Sequence, residues 1–176
     1  MSVKVGPPEQ VTTGAWTKER GTYCIGPDDP GVPNIVLTLA AAHLAFERKV
    51  RDIPPPMVHT VPGPRTLVHY LTAFSASRAD AFVDAVTVAG ATVHLHVRPE
   101  SFHWTFGDGT TTDTSGPTTN HTYADKAHRV IRVDVVWSGY FTVDGGSEHY
   151  PIDPAAHSTG VPAVVEVVEA RAENRS

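Results

Sequence analysis

Two groups of residues in this chain have types and spacings that could do chemistry. The first is Asp108, set between Gly107 and Gly109 in the stretch SFHWTFGDGTT. The second is the pair His94 and His96, with His69 and His103 near enough in sequence to add a third imidazole. A catalytic carboxylate needs a second carboxylate or a base beside it, and the nearest acids, Glu100 and Asp113, stand at no spacing that would place one there. The simpler role is mechanical. Glycine on both sides permits positive φ, and the carboxylate can accept backbone N–H bonds across the loop, so Asp108 reads as a turn clamp with a calcium ligand as the alternative.

His94-x-His96 puts two imidazoles on one side of a strand, which is one way to begin a zinc site. A third ligand, His69 or His103, would have to come from an adjacent strand, and a solvated polar sheet face is the reading the pattern favours. The sequence holds neither an H-E-x-x-H pair nor a second cysteine beside Cys24. Ser138 precedes a glycine in WSGY without the G-x-S-x-G that would expose a nucleophile, and no glycine loop is built to cradle phosphate. The expectation is therefore no catalytic residue and no cofactor, with His94, His96 and His103 as the candidates for a zinc site.

The elements that must position these residues are mostly strands. Residues 1–33 are rich in Gly, Pro, Asp and Thr and read as an extended arm. Asn34 can cap a helix whose apolar stripe runs Ile35, Leu39, Ala42, Phe46 and Val50 until Pro54–Pro56 stop it. Residues 34–64 are thus a helix and a Pro-rich linker, and the stripe reads as a docking face. Strand alternation then dominates 65–172. It runs through Leu67–Thr72, AFVDAVTV, a turn near Gly90, TVHLHV, the Phe102/Trp104/Phe106 run and Ile131–Trp137. TTTDTSGPTTN reads as a polar loop, VDGG as a turn, and AVVEVVEARA as a last strand, with a short helix as the alternative. Residues 173–176 are a tail. Seven or so short strands imply two antiparallel sheets packed face to face.

Because Phe102, Trp104 and Phe106 share one strand face beside apolar neighbours, they read as core and not as a sugar-stacking platform. Trp16, Tyr140 and Tyr150 are the aromatics left for such a platform. Nucleic acid is a poor partner for a chain with 19 acidic against 14 basic residues and no basic block. The longest apolar run is broken by Thr38 and His43, too short for a membrane span, and the N-terminus lacks the apolar segment of a cleavable signal.

Trp104, Phe106, Gly107, Asp108 and Gly109, followed after a Thr/Gly/Pro loop by His121, Thr122 and Tyr123, resemble the W-x-F-G-D-G and H-T-Y hallmarks of the PKD domain. The flanks are similar in style to long PKD proteins of high-GC Gram-positive bacteria or their phages. The pattern is broken in three places: Thr105 for an acidic residue, Lys126-Ala127 for a Pro-Gly turn, and Arg129 for an aromatic.

The resemblance implies an immunoglobulin-like antiparallel β-sandwich that works as a spacer or as a contact module in extracellular and surface proteins. Tyr123 would be its tyrosine corner and His121 a support of the same loop. The function expected is a non-enzymatic structural or interaction module, a subunit of a larger assembly such as a phage capsid decoration or tail protein. Its contacts would be to other protein subunits through the arm and helix. The alternatives are a secreted surface adhesion or carbohydrate-binding module and, last, a histidine-based metal enzyme.

Overall fold

The computed structural model describes residues 33–88 and 91–170, with side chains from Leu39 onward except that of Val88. One helix, α1 (Pro33–Asp52), precedes ten strands: β1 (Met57–Val61), β2 (Arg65–Leu67), β3 (Leu71–Ser77), β4 (Phe82–Val88), β5 (Ala91–Thr105), β6 (Thr111–Thr114), β7 (Thr118–Thr122), β8 (Ala127–Val143), β9 (Tyr150–Ser158) and β10 (Ala163–Val168). β1, β3 and β7 form a small sheet, and the other seven form a large one. All pairings are antiparallel except β2 with β10.

The large sheet is organised by its two long strands. β5 and β8 pair from Val93↔Val143 to Thr105↔Arg132, a longer ladder than either in the small sheet. At one end β6 flanks β5 and β10 flanks β8; at the other, β4 flanks β5 and β9 flanks β8. Both halves bury the same face. In β5 the buried set switches from Val93, Leu95 and Val97 to Phe102 and Trp104, odd positions to even. A bulge between Pro99 and Ser101 inserts the residue that keeps both sets on one side, and proline fits there because it has no N–H to give the ladder.

The covering layers differ. Over Phe102, Trp104, Ile131 and Val133 lies the small sheet, with Phe74 against Phe106 at 5.5 Å between ring centroids. Over the other half lies α1, whose Ala42, Phe46 and Val50 are buried. A Cβ at Gly139 would stand 2.7 Å from the His96 carbonyl and 3.3 Å from the Phe46 ring, so glycine is what lets the helix approach β8 there. Leu39, from the same predicted stripe, remains 46 % exposed, and Ile35 has no described side chain.

Several sequence expectations need correction. The stretch read as a Pro-rich linker contains β1, which pairs with β3 from Met57↔Ser77 to Val61↔Ala73. The single strand expected over 67–72 is broken after Leu67, because His69 turns the chain at φ 60° and donates its N–H to the Tyr123 carbonyl. The polar loop 110–120 holds β6 and β7, one at the edge of each sheet. Threonine is a good strand former even where neither face is deeply buried. β10 is a strand, as the first reading had it. At VDGG the chain turns, with the Gly146 N–H on the Val143 carbonyl at 2.8 Å. The arm to residue 32, the turn at Gly90 and the tail lie outside the described residues.

Candidate functional site

The motif turn sits where β5 leaves the sheet, and its polar groups bind one another. Asp108 Oδ1 accepts the Thr110 N–H at 3.0 Å and the Thr110 hydroxyl, while Oδ2 accepts from His121 Nε2 at 2.7 Å. An ionised carboxylate only accepts, so the His121 proton is on Nε2. That imidazole stacks on Phe106 at 4.1 Å and meets Tyr123 edge-on at 4.7 Å. The Tyr123 hydroxyl donates to the Phe106 carbonyl at 3.2 Å, and Trp104 Nε1 donates to Thr114 Oγ1 at 3.0 Å. Gly107 has φ 74°, Gly109 φ 93°, and Trp104, Phe106 and Tyr123 are buried.

Burial alone would raise the Asp108 carboxyl. The bonds from the Thr110 hydroxyl, from His121 and from the Thr110 N–H outweigh it, with the charge interaction of His121 adding to them, and hold the group at about 2. Tyr123 is driven upward by burial and by the Asp108 charge, against a smaller opposing effect of Arg129. Its hydroxyl is thereby kept as a donor.

The other sequence candidates are dispersed. His103 Nδ1 donates to Asp113 Oδ1 at 2.7 Å. His94 and His96 share the open face of β5, and His96 stacks on Tyr140 of β8 at 4.4 Å. Among the described residues, no three His, Cys, Asp or Glu side chains are grouped to hold a metal ion. Tyr150 stacks on Phe141, and Trp16 lies outside the described residues.

What sequence reasoning missed is a trough of about 910 Å³. The row Val83, His96, Tyr140 and Pro151 runs across four strands on the face opposite the core. The β5 bulge and a second one in the β8–β9 pairing, between Trp137 and Gly139, lie beside this row. Arg98, Glu100 and Asp153 add polar groups. Tyr140 is held between His96 and His149, the latter at 4.3 Å, so imidazoles occupy its ring faces. No sequence signal announces this site, because it exists only once the strand register is known.

Residues 79–135 match the PKD domain model. Over that segment the chain is similar to PKD domains. No curated protein matches the chain. PKD domains mediate protein or carbohydrate interactions, are generally non-catalytic and occur in extracellular or surface proteins. Among the described residues no helix is long and apolar enough to cross a membrane. The matched segment contains both hallmark motifs, begins just before β4 and ends within β8, leaving α1, β1, β2, β3, β9, β10 and the far half of the β8 strand outside it.

The three departures from the PKD pattern have local explanations. Arg129, in place of an aromatic, lies 6.0 Å from the Tyr123 ring centroid and donates to the Gly107 carbonyl at 3.4 Å, so a guanidinium covers the tyrosine. Thr105 donates to the Arg132 carbonyl at 3.4 Å. Lys126-Ala127 leads directly into β8.

Asp108 gives this PKD-like segment a pH signature. Its folded value of about 2 lies below the ordinary 3.8, so the stabilisation is fully present above about pH 4 and is lost as pH falls toward 2. The shift corresponds to about 2 kcal/mol. Asp84, held low chiefly by its hydrogen bond from Lys49, acts in the same direction. Denaturant unfolding from pH 5 to 2 should show a steeper loss of stability in the wild type than in Asp108→Asn. Parallel curves would mean that the carboxylate does not hold the turn.

Proposed function

We propose that this chain is a non-enzymatic interaction subunit of a larger assembly, such as a bacteriophage virion, in which it decorates the capsid or attaches to the tail. The observation that carries the non-catalytic part is the closure of the motif on itself: the Asp108 carboxylate is bound by Thr110 and His121, and the Trp104 and Phe106 rings face the core. The trough on the opposite face leaves Arg98, Glu100 and Asp153 open to a partner. The assembly part is supported by the contact-module character of PKD domains and by the N-terminal segment ahead of α1, whose composition suits an arm that orders on a neighbour.

A fractionation experiment tests the reading. Antibody against the full chain should label particles that band at virion density in a gradient of lysed host culture. Labelling confined to the cell wall would instead favour the surface-module reading, and protein remaining free at the top of the gradient would overturn assembly altogether. Carbohydrate binding is the second reading, because the trough joins apolar Val83 and Pro151 to unspent polar groups. It would rely on hydrogen bonds more than on stacking, given that Tyr140 is already sandwiched.

A further inference from the structure

Among the described residues, β4 has β5 on one side and no strand on the other. Which of its backbone groups face the open side follows from the ladder. The Asp144 N–H donates to the Thr92 carbonyl across the β5–β8 pairing, so Thr92 turns its backbone groups toward β8. By alternation Val93, Leu95 and Val97 turn theirs toward β4, where their partners are Val86, Asp84 and Phe82. Val83, Ala85 and Thr87 therefore present their N–H and C=O groups to the open edge.

Such an edge is a template for another strand unless something guards it. Five of the seven residues in FVDAVTV are strand formers. Its one charge, Asp84, is the guard. Asp84 Oδ1 accepts the outward Ala85 N–H at 2.8 Å, and Oδ2 is paired with Lys49 Nζ of α1. The central edge donor is thus satisfied within the chain, and the helix fixes the carboxylate that satisfies it.

We propose that β4 is a closed interaction edge which, once the Lys49–Asp84 contact opens, pairs antiparallel with β4 of a second copy about Ala85. The pattern is self-complementary there. Ala85 would face its own copy, and Val83, 61 % exposed, would face Thr87, with all of these side chains on the outer face. Asp84 would lie on the helix side, opposite Val86, so two carboxylates are not brought face to face.

The experiment uses the full-length chain in sedimentation velocity. Asp84→Ala is expected to self-associate at least about tenfold more tightly than the wild type, giving a dimer and no larger species. Lys49→Met, which leaves β4 itself untouched, should shift the same way and serves if Asp84→Ala fails to fold. Register is read by oxidation in a Cys24→Ser, Asp84→Ala background. There Ala85→Cys should cross-link two chains and Thr87→Cys should not, because position 87 would face position 83.

Monomers in both opened variants would overturn the proposal. So would equal cross-linking at 85 and 87, open-ended polymers, or cross-linking at 85 that is as strong without Asp84→Ala. A disulfide between position 85 and Cys24, when Cys24 is retained, would assign the edge to the N-terminal segment and equally overturn the pairing of two β4 strands.

Discussion

Trp104→Ala is expected to lower the free energy of unfolding by about 3–5 kcal/mol, a large share of the 5–15 kcal/mol typical of a whole domain. The ring is fully buried, pairs across the sheet with Val133 and lies under the small sheet. Truncation removes its transfer energy and leaves a cavity that two sheets locked by their ladders cannot close. The lost Nε1–H bond matters less, since Thr114 Oγ1 keeps its bond to the Gly116 carbonyl at 2.7 Å. Tyr140→Ala, on the open face, is the control and should cost well under half as much. Equal losses in chemical denaturation would show that the motif aromatics are not the core, and the non-catalytic reading would lose its support.

How far the fold was legible depended on whether a strand buries one face. Ile131, Val133, Val135 and Trp137 alternate with Arg132, Asp134 and Val136, and all four are buried as that alternation requires. The switch from Val97 to Phe102 was also visible, as two apolar sets of opposite parity. What sequence could not supply was the reason both face inward, which is the bulge. β6 and β7 were misread because their alternation is among polar residues only, and the ladder bonds that hold them leave no hydrophobic trace. The apparent strand over 67–72 failed for the converse reason: alternation runs on through a turn that only the His69 backbone reveals.

The turn clamp at Asp108 was readable because its partners are local or part of a known motif. Arg129 was not, since a cation covering a tyrosine where an aromatic is usual has no periodic signature. The trough and the β4 guard were invisible for a further reason. His96 meets Tyr140, and Lys49 meets Asp84, only through the register of the β5–β8 pairing and the seating of α1 on it. The same extension of the β5–β8 ladder beyond the small sheet thus creates both features. It needs α1 to cover its inner face, brings Lys49 to the edge, and leaves an outer face that no element covers among the described residues.

Gly107→Ala is expected to be as damaging as the loss of the tryptophan, although it adds a single methyl group. At φ 74° an L side chain costs about 1–2 kcal/mol. The added Cβ would also stand 2.6 Å from both the N and the O of Val130, backbone atoms of β8 that cannot rotate away. Relief requires moving the turn off the sheet, which would break the Tyr123 bond to the Phe106 carbonyl and the Arg129 bond to Gly107. Gly109→Ala separates the two costs, because φ there is 93° but nothing lies within 4 Å of the new Cβ. With about 2–4 °C per kcal/mol for a chain of this size, Gly107→Ala should lower the melting temperature by about 10 °C and Gly109→Ala by about half that or less. Equal shifts in the two variants would mean that Gly107 is kept for its dihedral alone, and that the FGDG turn does not press on β8.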